Sequence, residues 1–379
     1  MASDTLLCPR WIIPVEPAGA VLEGHCVALR DGLIEAVLPR AAAEVRFAAY
    51  EKVELGEHAL IPGLVNAHTH AAMALMRGLA DDLPLMRWLE EHIWPAETKH
   101  VSPQFVRDGT LLACAEMLRG GVTCFNDMYF FPAAALEAAQ QAGMRVALGM
   151  IVFDFPSAYG ADPDDYLAKG LALRDQWHEN PLVSFCLAPH APYPVSDATF
   201  GKVAKLAAEV DVPVHVHLHE TEQEIERSLA EHGVRPLARL ERLGLLGPGL
   251  IAVHAVHLDD PEIALLAKAV AHDAQALPAQ AALRAATLGG ARALGLEERI
   301  GSVEPGKCAD LAAVRLDGPE LSPLYDPVSQ LVYAAGREHV SDVWIAGKRL
   351  LREGIVADLP LWSLDTRIKM WENTFRSRA

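Results

Sequence analysis

Residues 62–70 read PGLVNAHTH, and the organisation of the chain follows from them. Ile61 to Val65 is a short apolar run of the kind that forms a buried strand. It delivers His68 and His70 at its end. Residues two apart in a strand point to the same side, so both imidazoles can reach one ion from a single strand. Imidazole nitrogen suits zinc, iron or nickel, and a catalytic site keeps one position open for water.

Working outward, the same unit repeats. Ser102-Pro103 opens a helix with an N-cap and a proline at its first position, and the helix stops at Gly120-Gly121. Further strands are predicted at Val122 to Asp127, Arg145 to Val152, Val183 to Ala188, Val212 to Leu218 and Leu250 to Val253, with helical stretches between them. Strands alternating with helices imply βα units on a parallel sheet. A (β/α)8 TIM-type barrel needs eight strands, and this α/β chain shows six. From Asp260 to Leu296 the pattern is helical and alanine-rich, with no buried-strand run before Ala309.

The termini differ. Asp31-Gly32 and Ala346-Gly347 each separate two strand-like runs, a hairpin signal. The expected division is a small β-sandwich from residues 1–60 and 305–379, the latter with a C-terminal extension. Residues 61–304 form the catalytic barrel.

Composition removes several functions. The formal charge is −17, which disfavours a nucleic-acid binder. No basic run or long apolar stretch points to a membrane. The start lacks the pattern of a secretory signal. Six irregularly spaced cysteines without a CxxC read as reduced thiols of a cytoplasmic protein. A homo-oligomer is left open.

The histidines carry the chemistry. Four of the six predicted strands end in one: His68 and His70 on the first, His190 on the fourth, His217 with Glu220 on the fifth, His254 on the sixth. Strand ends at the C-terminal face are where barrels place their sites. Alternation is taken to put His215 on the wall and to turn His219 away.

The motifs PGLVNAHTH (62–70), PHAPY (189–193), HLHE (217–220) and AVH (252–254), with SVEPGKCADL at 302–311, resemble the amidohydrolase superfamily. The more specific segment MALMRGLADDLPLMRWLEEHIWPAE (73–97) resembles its 5-methylthioadenosine/S-adenosylhomocysteine deaminase group, within the triazine hydrolase-like family. The resemblance implies one divalent metal, zinc by preference, on His68, His70 and His217. It implies Glu220 as proton shuttle, also in contact with substrate, and His254 holding the hydroxide on the metal. His190 and Glu97 would contact a small nucleoside substrate. The implied reaction is metal-hydroxide attack on the purine ring, releasing ammonia. Guanine or cytosine deamination and chlorohydrolysis are the alternatives on the same scaffold.

One departure matters. The family carries an aspartate at the end of strand eight, a metal ligand and the base on the attacking water. No such turn occurs here. Stretches that in relatives precede strand seven and follow strand eight run together at Ala264 to Ala267. The segment bearing strands seven and eight is therefore expected to be absent. Asp259, Asp260 and Asp273 are expected to be loop or cap residues. The chain as it stands is expected to show little or no turnover, and a non-catalytic homologue is the third reading. No lysine ends a predicted strand, so a single ion is expected.

Overall fold

A computed structural model describes residues 4–269, 278–357 and 359–376. The N-terminal strands are Thr5–Ile12 (β1), Leu22–Glu23 (β2), His25–Arg30 (β3), Leu33–Pro39 (β4) and Glu51–Pro62 (β5). The central strands are Leu64–Thr69 (β6), Val122–Asp127 (β7), Arg145–Val152 (β8), Val183–Pro189 (β9), Val214–Leu218 (β10) and Leu250–His254 (β11). Leu311–Arg315 (β12), Val340–Ile345 (β13), Lys348–Arg352 (β14) and Ile355–Val356 (β15) follow.

β6 to β11 form one parallel six-stranded sheet in chain order. The central strand β8 is buried along its whole length, as a parallel strand covered on both faces should be. Among the described residues, β6 and β11 each lack an outer neighbour. After β11 the described chain is helical at Asp260–Ala269 and again from Ala279 to Ala293. This second run lies against β6: a Cβ on Gly290 would meet the Val65 Cβ at 2.8 Å, so only glycine permits the approach. The six strands expected from the sequence are thus the six found, and among the described residues no strand pairs β11 with β6.

The two ends of the chain do pair. They build one nine-stranded sheet, ordered β15-β14-β13-β12-β5-β1-β3-β4 with β2 on β1. Asp31 and Gly32 have φ of 51° and 82°, and Ala346 and Gly347 have 46° and 73°. Two consecutive left-handed residues give the hairpin turn whose twist matches the strands. The extension forms a helix, Leu361–Arg376, which the sequence reading left unassigned. Its Trp371 Nε1 donates to the buried Asp108 carboxylate at 3.0 Å, fastening it to helix Pro103–Arg119.

The central and terminal sheets are joined by a buried fork. Arg145 on β8 donates to Asp310 through Nε at 2.8 Å and Nη2 at 3.2 Å, and both side chains are almost wholly buried. Asp310 also accepts from the Ala346 amide at 2.8 Å. Removing one partner strands a buried charge, so Asp310→Ala is expected to cost about 3–5 kcal/mol. Urea unfolding followed by circular dichroism checks this; a loss under 1 kcal/mol would show that the fork does not hold the sheets together.

Candidate metal and active site

The C-terminal ends of β6, β9, β10 and β11 converge on a cavity of about 730 Å³. All seven residues singled out from the sequence, His68, His70, Glu97, His190, His217, Glu220 and His254, line it. Met73, Trp88, Trp94, Tyr129, Phe153 and Tyr193 supply much of its apolar wall.

The turn carrying His68 and His70 is set from the neighbouring strand. The buried Asp127 at the end of β7 accepts from the Thr69 hydroxyl at 3.0 Å and the Ala71 amide at 2.7 Å. Burial pushes its carboxyl up to about 6, and these two hydrogen bonds oppose the shift. His70 Nδ1–H donates to the Met128 carbonyl at 2.6 Å, and His217 Nδ1–H to the His190 carbonyl at 2.7 Å. A carbonyl only accepts, so both protons are committed to Nδ1 and both Nε2 atoms carry lone pairs. Those Nε2 atoms lie 3.2 Å apart. Two facing lone pairs at that distance repel unless a cation lies with them. Ring nitrogens of His68, His217 and His254 fall within 4.8 Å of one another.

The imidazoles are held neutral, the form that ligates. Burial is the largest cause throughout, reinforced by neighbouring rings. His68 is lowered to about 2 and His190 to about 3. His70 and His217 are lowered in the same sense.

Glu220 reaches His254 across the cavity, Oε1 to Nε2 at 3.5 Å. Burial raises its carboxyl and the His254 ring draws it back. Its backbone is fixed by Glu224, whose carboxylate accepts from the His219 and Glu220 amides at 3.1 and 2.9 Å. His219 and His254 adopt left-handed φ of 54° and 70°, an uncommon conformation for such residues. Glu97 accepts from the Tyr129 hydroxyl at 2.7 Å, and burial raises its carboxyl.

One placement differs from the sequence reading. His215 is not on the cavity wall: it shares the parity of His217, is fully buried, and its Nε2 is 3.0 Å from His68 Nδ1. The i, i+2 rule that grouped His68 with His70 groups His215 with His217. Tyr129 and Phe153 follow strand ends without a motif, and only the fold reveals them. His219 is buried and accepts from the Leu237 amide at 3.0 Å, outside the cavity. Asp259 caps the helix beginning at Asp260, accepting from the Glu262 amide at 2.9 Å; Asp273 lies outside the described residues. Lys169 and Lys202 sit on helices Pro163–Trp177 and Asp197–Val210 and bind Asp165 and Asp164, so neither can bridge ions in the cavity. No helix among the described residues is long and apolar enough to cross a membrane.

Comparison with known proteins gives concordant results. The pattern of the amidohydrolase family matches residues 59–275 and 263–350. The 5-methylthioadenosine/S-adenosylhomocysteine deaminase of Saccharophagus degradans is 39% identical, over 96% of this chain and 94% of that protein. Its counterpart in Teredinibacter turnerae is 38% identical, over 97% of each. The crystal structure of an adenosine deaminase from Xanthomonas campestris with bound zinc superposes with a TM-score of 0.95 and 45% identity, covering 99% of each chain. The atrazine chlorohydrolase of Arthrobacter aurescens, at 22% identity, 97% and 99% coverage and a TM-score of 0.87, shares the fold. The first of these alignments extends over 424 positions, more than the 379 residues present here, so that relative carries residues with no counterpart in this chain. The family pattern also matches in two stretches that overlap at 263–275, the region where the sequence runs together. The converging histidines, the six-stranded parallel sheet and these matches make the chain a member of the amidohydrolase family.

Proposed function

We propose that the cavity is the site of a metal-dependent hydrolytic deaminase for adenine nucleoside thioethers, 5-methylthioadenosine and S-adenosylhomocysteine. The observation that carries this is the pair of Nε2 lone pairs of His70 and His217, 3.2 Å apart with both Nδ1 protons committed elsewhere. That donor set fits one divalent ion held by His68, His70 and His217, and zinc suits neutral imidazoles. The bound ion would lower the pKa of a water toward neutrality.

The chain's own residues supply the rest. Glu220, its carboxyl raised by burial, gives its proton to the ring nitrogen, then takes the proton of the hydroxyl that the attacking water has left on the ring carbon and passes it to the departing amine, so that ammonia leaves as the carbonyl forms. His254, facing Glu220, orients the attacking water. His190 stacks near Phe153, ring centroids 4.8 Å apart, and its buried Nδ1 has no partner among the described residues, which leaves it available to the purine. Glu97, braced by Tyr129, accepts from ribose hydroxyls. Trp88, Trp94 and Phe153 enclose the apolar thioether.

A second reading has its own observation. Among the described residues the sheet holds no strand that would bear the family's base, and on this reading the chain turns over slowly or serves as a non-catalytic homologue. Guanine, cytosine and chlorotriazine are the competing substrates. With added zinc, ammonia or chloride release should favour the two thioether nucleosides by at least tenfold in kcat/KM over those three. A preference for guanine, cytosine or a chlorotriazine would replace the substrate assignment.

A further inference from the structure

We infer that His215 is a positioning residue that sets the tautomer and ring rotation of His68. The inference rests on the metal-site reading above. A histidine that ligates through Nε2 must carry its remaining proton on Nδ1, and the partner of Nδ1 decides whether it does. For His70 and His217 that partner is a backbone carbonyl. A carbonyl can only accept, so the ligating tautomer is fixed whatever occupies the cavity.

His68 is different. Its Nδ1 meets no carbonyl but the Nε2 of His215 at 3.0 Å, with ring centroids 5.0 Å apart and planes at 66°. An imidazole nitrogen can accept or donate. If Nδ1–H of His68 donates, Nε2 of His68 is free to bind the ion, and His215 must carry its own proton on Nδ1. If His215 donates instead, the proton of neutral His68 moves to Nε2 and blocks the ligand position. Among the described residues His215 Nδ1 has no hydrogen-bond partner, and the ring is fully buried, so none of them fixes the choice from behind. Binding of the ion selects the first arrangement, and His215 must be an acceptor for that arrangement to be available. His215 does not line the cavity, so it acts through His68 rather than on a substrate.

The test uses the full chain and zinc itself. Zinc dissociation constants are measured by competition with a chromophoric chelator, with cobalt(II) absorption as a second readout of ligand geometry. His215→Gln places an amide oxygen near the original Nε2, where it can accept from His68. His215→Asn is too short to reach, and His215→Phe cannot accept. Outer-shell partners typically contribute 10–100-fold to metal affinity. Phe and Asn are therefore expected to weaken zinc binding by about 10–100-fold, and Gln to remain within about threefold of the parent. The stoichiometry at saturating zinc stays at one.

His217→Ala, which removes a ligand, separates the two levels of the account. If the parent binds no zinc, or His217→Ala binds it as tightly as the parent, the metal-site reading falls and the His215 role with it. If His217→Ala weakens zinc but Asn and Phe leave both affinity and cobalt spectrum unchanged, the role of His215 alone is overturned. Should the Phe variant fail to fold, the Gln and Asn pair decides: equal affinities overturn the proposal.

Discussion

Restoring strands seven and eight between Ala264 and Ala267 is expected to raise turnover of 5-methylthioadenosine by at least about 10²-fold, the lower end of what a single general acid–base group contributes. Hydrolysis needs two proton managers: one takes a proton from the attacking water and another delivers protons to the ring nitrogen and the ammonia. Glu220 fills the second role. It lies on the turn after β10, beside His254 at 3.5 Å, and cannot serve both at once. Two described carboxylates that follow His254 closely are engaged elsewhere. Asp259 caps its helix, and Glu262 takes the Arg235 guanidinium at 2.8 and 2.9 Å. Both proteins are assayed with added zinc by ammonia release. Equal turnover would mean that another carboxylate acts as base or that the join is misplaced.

In the restored chain, Glu220→Gln is expected to lower kcat by about 10²–10⁴-fold with KM changed by less than about threefold. The amide has the shape of the carboxyl but cannot pass a proton. Burial already raises the Glu220 carboxyl above the ordinary range, which keeps a larger protonated fraction near neutrality than an exposed glutamate would have. The backbone anchor through Glu224 survives the substitution, so binding should persist. Steady-state kinetics give the answer, and an unchanged kcat removes Glu220 from the mechanism.

The strands were legible because each is a short apolar run bounded by turn residues; the run Ile61 to Val65, read as one strand, divides at Gly63, with Ile61 and Pro62 ending β5 of the terminal sheet and Leu64 opening β6. The histidines and Glu220 that line the cavity were legible because they sit at the ends of those runs, whereas Glu97 lies on the helix Trp94–His100. His215 was misread because alternation fixes which side of a strand a residue faces and not whether it reaches the cavity. The segment 73–97 resisted local reading for a physical reason. It folds as a 3₁₀ turn at Ala71–Met76, a helical turn at Leu85–Trp88, a π-type turn at Leu89–Ile93 and the helix Trp94–His100. No single periodicity runs through it, because its apolar residues line a cavity rather than one helix face. Its function was readable only through resemblance. The pairing of distant termini was inferable from two hairpin signals, but a single nine-stranded sheet depends on β5 and β12 pairing across the whole chain, which no local pattern encodes.

The central claim is that one ion sits among His68, His70 and His217. Elemental analysis of the purified chain after zinc loading and desalting tests it most directly, beside the His68→Ala/His70→Ala double variant. The account predicts about one equivalent of zinc per parent chain and none retained by the double variant. Equal metal content in the two proteins would contradict it.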